Sequence, residues 1–403
     1  MSDDELYLDA SATEPVGEDV IGAMRPFLTE AYANPASAHQ PGKTALRALE
    51  AARSAFAAGL GGKAEDVVFT SGGTESDNLA IKGISMARMR AMGLGPGRKA
   101  GEGGVAGPPR IVISSVEHPA VSASADWLAA WLGFEVVRIP VDAQAHVDLD
   151  ALGESLEGEA GERTTLVSVM LANNEVGTIE PIRDIVRIVH GHHVPLHVDA
   201  VQAAGRIPIR MRDWGIDALA VSGHKFGTPK NLGALLVRGG VPIEPLLSGG
   251  GQERGLRSGT QNVAGAVALA IALSDANEKM RRQERDLVTS RDTLIDAVRR
   301  VVPQAELTGD PRRRLPGHAS FVFPGIAGEA LLVDLDAHGI ACSSGSACAV
   351  GRHELPPTLL AMGIGPEVAQ SALRMTFDAP LTRGQIDRIA MALEDSYGRL
   401  AGR

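Results

Sequence analysis

Pro195-Leu196-His197-Val198-Asp199-Ala200-Val201-Gln202 and, further on, Ala218-Leu219-Ala220-Val221-Ser222-Gly223-His224-Lys225 follow one pattern. A short apolar run ends on polar residues, with small residues close by. The runs lack polar alternation, which suits strands covered on both faces. Similar runs occur at 66–70, 110–114, 135–141, 164–171 and 233–238, and most lead through Gly, Ser, Thr or Asn into a helical pattern. Strands alternating with helices predict an α/β domain with a mostly parallel sheet and right-handed crossovers. In such sheets ligands bind beyond the carboxyl ends of the strands. The polar residues that end these runs are therefore the first candidates for chemistry.

Working outward, residues 93–109 are rich in Gly and Pro, carry no hydrophobic period and read as a surface loop. The character changes after about residue 262. Residues 263–302 read as helices, the second strongly charged from 278 to 300. Strand candidates follow at 319–323 and 339–343, and a closing helix at 382–400. We therefore expect a large α/β domain over 16–261 and a smaller α+β domain made of 1–15 with 262–403. The chain has 403 residues, 44% of them hydrophobic and 22% charged, enough for a sizeable core and incompatible with a disordered chain. Its net charge of −10 argues against direct nucleic-acid binding. The longest apolar stretch, 263–273, falls short of the ~20 residues that cross a bilayer, so no membrane partner is expected. The acidic start Ser2-Asp3-Asp4-Glu5 lacks the basic opening of a signal peptide. Two cysteines cannot build a disulfide framework, which points to a reducing cytoplasm.

Several constellations can carry chemistry. Phe69-Thr70-Ser71-Gly72-Gly73-Thr74-Glu75-Ser76 runs from a strand through glycines into a helix, an arrangement that leaves N–H donors for a phosphate. An ordinary turn between strand and helix reads equally well. Asp199, at the end of an apolar strand, needs a partner such as a protonated ring nitrogen, a helix N-terminus or a salt bridge. Lys225, just past another strand, suits a Schiff-base nucleophile. Lysine, acid and phosphate anchor in this order match a pyridoxal phosphate site. Cys348 lies among small residues in Cys342-Ser343-Ser344-Gly345-Ser346-Ala347-Cys348-Ala349, which suggests an exposed loop thiol, whereas Cys342 reads as buried and structural. Arg254 and Arg257, in a glycine-rich stretch, could bind anions. Arg374, between apolar neighbours, could clamp a substrate carboxylate or serve a structural ion pair. His190, His192, His193 and His197 cluster without zinc-ligand spacing, so no metal site is expected.

With these motifs in order the chain resembles the cysteine desulfurases that supply sulfur for iron–sulfur clusters, within the class V aminotransferase-like group of pyridoxal-phosphate enzymes. The resemblance covers nearly the whole chain. It takes in Leu6–Thr13, Asn34-Pro35-Ala36-Ser37, Ser71–Asn78, Glu117-His118, Asn173-Asn174-Glu175-Val176-Gly177, His197–Gln202, Ser222–Lys225, Arg257–Thr260 and Ser343–Cys348. It implies a fold type I, transferase-like architecture with a mostly parallel seven-stranded sheet, pyridoxal phosphate as cofactor and L-cysteine as substrate. It implies that Lys225 forms the Schiff base, that Asp199 keeps the pyridinium nitrogen protonated, and that His118 stacks on the ring and acts as acid or base. Gln202 and Asn174 would lie near the ring hydroxyl and the substrate, while Gly73, Thr74, Ser222 and His224 would hold the phosphate. Thr260 would reach the phosphate of the other subunit in a homodimer, Arg374 with Asn34 would bind the cysteine carboxylate, and Cys348 would take the sulfur as a persulfide for an acceptor or iron–sulfur scaffold protein. Selenocysteine lyases, other lyases of this fold and a non-catalytic scaffold are the alternatives. The sequence departs from the family pattern at Asp9-Ala10-Ser11, at Phe226-Gly227-Thr228-Pro229 and after Cys348, where Ala349-Val350 and then Glu354-Leu355-Pro356-Pro357 stand. None of these changes removes a named catalytic group, but those after Cys348 leave the acceptor open.

Overall fold

The computed structural model describes residues 5–94, 107–344 and 355–402. Its centre is a seven-stranded sheet. In spatial order the strands are Val67–Thr70, Gly233–Val237, Ala218–Ser222, Leu196–Asp199, Thr164–Ser168, Arg110–Ser114 and Glu135–Ile139. The last five are mutually parallel, and Gly233–Val237 runs antiparallel to both of its neighbours. The exception has a local cause. Parallel neighbours need a long crossover, usually through a helix, whereas Gly233–Val237 returns from Ala218–Ser222 through a short connection. That connection opens with the single helical turn Gly223–Lys225, so the reversal of chain direction is also what carries Lys225.

Two apolar layers cover the sheet. Val67, Val112, Val167, Val198, Leu219 and Leu236 face a core shared with Leu49, Phe56 and Leu269. Val68, Ile111, Ile113, Leu166 and Leu235 face the other, with Ile81, Ile84 and Leu128. Neighbouring strand residues point to opposite faces, and both faces are dry, so the strands read as apolar throughout.

A smaller unit contains the antiparallel strands Leu373–Thr376, His318–Val322 and Glu306–Leu307, and a parallel pair of Leu6–Tyr7 with Ile340–Ala341. Its core gathers Leu8, Leu294, Phe321, Phe323, Leu331, Met375 and Leu393. The strands Leu6–Tyr7, Glu306–Leu307 and Leu373–Thr376 were not expected from the sequence: the first two are only two residues long, and the first and last find their partners far along the chain. The region expected to hold two helices is instead one 39-residue helix, Val263–Val301. Its first part, Val263–Leu273, packs in the larger core and Leu287–Val298 packs in the smaller one. The charged stretch between them is the exposed midsection of a continuous rod, and no Gly or Pro interrupts it.

The glycine-rich stretch before this helix is fastened from below. Glu253 forms a two-point pair with Arg53 at 2.6 and 2.9 Å and accepts the Phe69 N–H at 3.0 Å. Arg254 donates to the Val67 carbonyl at 2.6 Å, and Arg257 pairs with Glu75 at 2.9 Å. The anion-binding role considered for these two arginines is thus taken by groups of the chain itself. The Arg53 and Glu253 side chains are 3% and 2% exposed, so losing one leaves the other buried without its partner. Glu253→Ala is expected to lower unfolding free energy by about 3–5 kcal/mol, read by denaturant titration. A loss below about 1 kcal/mol would mean that the pair behaves as a surface ion pair.

Candidate active site

The parallel strands end along one edge of the sheet, and there the chain opens a cavity of about 580 Å³. Its lining includes Gly73, Thr74, His118, Asn174, Asp199, Gln202, Ser222, His224, Lys225 and Arg374. Ten residues named from the sequence therefore converge on one space, from segments as far apart as 73 and 374.

Lys225 projects from its turn and donates through Nζ to the carbonyl oxygens of Ser11 at 2.5 Å and Ala12 at 2.9 Å. The N-terminal segment thus forms a rest for the amine. Gln202 supports this rest, donating to the Ser11 carbonyl at 2.9 Å and accepting from Arg206 at 2.5 Å. Asp199 ends its strand buried and accepts the Val201 N–H at 2.8 Å through Oδ1. Burial raises its pKa above the usual carboxylate value, opposed by that N–H and by the charge of Lys225.

His118 caps the helix Pro119–Leu132: its Nδ1 accepts the Ala120 N–H at 3.1 Å, and Pro119 presets the first turn. An accepting Nδ1 leaves the proton of the neutral ring on Nε2. His224 accepts or donates through Nδ1 with Thr13 at 3.2 Å, and burial, followed by the charge of Lys225, lowers its pKa to about 4. It is a neutral hydrogen-bonding group at neutral pH.

The phosphate-sized end of the cavity is built by close approach. A Cβ on Gly73 would stand 2.7 Å from Val201 Cγ2 and 3.3 Å from the Ser222 Cβ. Helix Gly73–Asn78 begins here with Gly72 as its N-cap and no side-chain cap, so its first N–H groups remain as donors for an anion. A buried acid for a ring nitrogen, an amine held at the far wall and an uncapped helix start behind glycines together fit pyridoxal phosphate. Those residues would hold it.

Arg374 is 1% exposed. It donates to Asp9 Oδ1 at 2.9 Å and to the Asn174 carbonyl at 2.9 Å, while its Nε has no acceptor among the described residues. A guanidinium has five N–H donors, so some remain for a carboxylate. The turn that presents Asn174 is set by Asn173, whose Oδ1 accepts the N–H groups of Glu175 at 2.8 Å and Val176 at 3.0 Å. Gly177 completes it at φ +81°, with a Cβ position only 2.7 Å from the His318 ring.

The structure also adds residues to which the sequence reading gave no role. Asp77 and Glu175 line the cavity, and Glu117 lies buried beneath it. Burial lifts Glu175 to about 7 against hydrogen bonds from Thr358, and lifts Glu117 to about 8 against hydrogen bonds from Ser114 and Met170. Each of the three sits inside a quoted motif, Glu117 and Glu175 directly beside the named His118 and Asn174, and Asp77 three positions after Thr74. No signal in the sequence distinguished a buried acid from a helix-surface one.

Asn34 and Thr260 stand elsewhere. Both are exposed, and neither lines this cavity. Asn34 uses its side-chain oxygen to accept the Ala36 N–H at 2.9 Å. Cys348 lies outside the described residues. The chain on either side of it is placed: Ser343 exchanges backbone hydrogen bonds with Arg374 at 2.7 and 3.1 Å, and Leu355 lines the cavity. Cys342 is mostly buried, and burial pushes its thiol up to about 12, so it is not a nucleophile. The histidine cluster disperses. His190 pairs with Asp217 at 2.8 Å, and His197 is wholly buried beside Ser168.

Residues 6–389 match the aminotransferase class-V family. The cysteine desulfurase IscS of Methanosarcina thermophila is 41% identical over 395 residues, covering 98% of this chain and 92% of that protein. A solved NifS-like protein superposes with a TM-score of 0.86 at 35% identity, covering 98% of this chain and all of that one. SspA, solved in complex with cysteine, superposes with a TM-score of 0.75 at 27% identity, covering 94% and 99%. The site geometry and these likenesses agree, and the chain belongs to the pyridoxal-phosphate-dependent class-V aminotransferase family, among its cysteine desulfurases.

Proposed function

We propose that the chain takes the sulfur of L-cysteine, releases L-alanine and keeps the sulfur as a persulfide on Cys348 for an acceptor protein. The observation that carries this reading is the convergence of Lys225, Asp199, His118 and Arg374 on one cavity. Bound pyridoxal phosphate supplies an electron sink for negative charge formed on the substrate carbon skeleton. The chain supplies the rest. Asp199 holds a proton on the ring nitrogen with the oxygen that the Val201 N–H leaves available. Lys225 anchors the cofactor through Nζ and then moves the proton at the substrate α-carbon. Arg374 binds the α-carboxylate, and Asp9 and the Asn174 carbonyl hold its guanidinium plane in place. His118 exchanges a proton at the substrate sulfur through Nε2.

The transfer step needs a thiolate that reaches the substrate sulfur and then leaves. An S–S bond forms at Cys348 as the carbon–sulfur bond breaks. The electron pair of that bond passes to the carbon skeleton, which takes up a proton and departs as alanine. Ser343, hydrogen-bonded to the backbone of Arg374, anchors the chain five residues before Cys348, within roughly 18 Å of extended reach. A thiol in such a segment can serve both the cavity and an acceptor.

The same reading makes the protein a homodimer. Thr260 is exposed and outside the cavity of its own chain, as suits a residue that contributes to the partner's phosphate site. The acceptor is an iron–sulfur scaffold or another sulfur-carrier protein, and the setting is a reducing cytoplasm in which a lone thiol stays a thiol.

Three measurements test this. Lys225→Ala is expected to lose the visible absorbance of the lysine-bound cofactor and its fixation by borohydride; retention of both would move the anchor elsewhere. Cys348→Ala is expected to keep the cofactor but gain no mass of one sulfur on incubation with cysteine and release no alanine above background. Full turnover in that variant would end the persulfide route. Arg374→Ala is expected to raise KM for cysteine about 10- to 150-fold, the loss of a charge-assisted contact of about 1.5–3 kcal/mol. An unchanged KM would place the carboxylate on another group.

A further inference from the structure

The carbonyl oxygen of Asn174 has two side-chain donors, and only one of them takes part in the steps above. Arg374 reaches it through Nη1 at 2.9 Å, and His318 meets it through Nε2 at 3.3 Å. A carbonyl oxygen only accepts, so this contact requires the ring proton on Nε2; with the proton on Nδ1, two lone pairs would face each other. Nδ1 has no partner among the described residues. The strand His318–Val322 lies antiparallel beside Leu373–Thr376, with Ser320 opposite Arg374 and His318 opposite Thr376. Cross-strand partners project from one face, as do residues two apart on one strand. His318 is therefore the diagonal neighbour of Arg374, and the two side chains meet at one oxygen.

That oxygen matters because of the peptide group to which it belongs. The N–H of the same group is that of Glu175, and it donates to Asn173 Oδ1 at 2.8 Å. The peptide plane is thus held at its N–H from within the turn and at its oxygen by two side chains of the smaller unit. Asn174 and Glu175, on either side of the plane, both line the cavity. The chain just before His318 grips the rest of the turn. Arg314 donates through Nη2 to the Val176 carbonyl at 2.7 Å, and the Leu315 N–H donates to the Gly177 carbonyl at 2.9 Å. The His318 ring fills the space that Gly177 leaves: a Cβ there would stand 2.7 Å from both Cγ and Nδ1 of the ring. His318 is 1% exposed, so water does not readily take over its hydrogen bond.

We propose that His318 is a positioning residue for the substrate carboxylate site: by donating to the Asn174 carbonyl, it fixes the acceptor against which Arg374 is aligned. This rests on the binding of the cysteine carboxylate by Arg374 and deepens that reading. Arg374 has two contacts that set its guanidinium plane, Asp9 Oδ1 and the Asn174 carbonyl. The Asp9 side chain can follow the guanidinium as it turns. The Asn174 carbonyl belongs to backbone that His318 holds still. His318 does not line the cavity, so it acts on the substrate through Asn174 and Arg374.

The test is steady-state kinetics of the holoenzyme with L-cysteine, reading alanine release. His318→Leu removes the donor but keeps a side chain of similar bulk. It is expected to raise KM for cysteine about 5- to 10-fold, with kcat within about twofold, because the lost alignment weakens binding of a group that does not react. The amide nitrogen of Gln stands near the place of Nε2, and that of Asn near the place of Nδ1. His318→Gln is therefore expected to stay within about twofold of the parent KM, and His318→Asn to resemble His318→Leu. In an Arg374→Ala background, His318→Leu is expected to add no further rise in KM, since its effect runs through Arg374. A parent-like KM in the Leu or Asn variant, a Gln variant as weak as the Asn variant, or an additive rise in the double variant would each overturn the proposal. If His318→Leu fails to fold, the Gln and Asn variants are read in the same way. An unchanged KM in Arg374→Ala alone would instead overturn the reading of the carboxylate site itself.

Discussion

Asp199 ends a strand in which every residue is buried, and an ionised carboxyl there costs several kcal/mol unless donors and opposite charges meet it. Much of the surrounding architecture answers that cost. The Val201 N–H takes one oxygen, while Lys225 brings positive charge from another strand end. Burial also pushes the carboxyls of Asp77 and Glu117 above the usual carboxylate range, which disfavours further negative charge near it. The arrangement becomes complete when a protonated ring nitrogen lies against the carboxylate.

The fold makes this convergence possible by its strand directions. Five parallel strands deliver their carboxyl ends to one edge, and the reversed strand Gly233–Val237 forces the tight connection that carries Lys225. The smaller unit closes the cavity from the other side with Arg374, whose strand is held by Ser320 on one flank and Ser343 on the other. The helix Val263–Val301 ties the two cores together. A 39-residue helix is a stiff link, so the position of Arg374 relative to Lys225 is fixed by long-range geometry rather than by any local turn.

The parts of this that could be read without coordinates were local ones. All seven large-sheet strands lie within a few residues of the apolar runs, because a run covered on both faces leaves a mark in composition. The glycines at 72 and 73 announced a close backbone approach, and the Val201 contact supplies the reason. Where the sequence misled, the cause was an ambiguity of pattern: the charged midsection of one long helix looked like the start of a second, and two arginines among glycines looked like anion ligands when they were fasteners to Val67 and Glu75.

What the sequence by itself determined is the chemistry on offer: a lysine, an acid and an arginine at strand ends, a glycine-rich helix start, and a cysteine among small residues. These are properties of residue type and immediate neighbours, and they survive in a one-dimensional reading. Only the tertiary structure decided which acids are charged, which arginine donors are spoken for, and that His318 and Arg374 share the Asn174 carbonyl. The physical reason is that desolvation and Coulomb interaction depend on distances between segments up to hundreds of residues apart, and those distances are set by sheet register and helix packing, which no local stretch encodes.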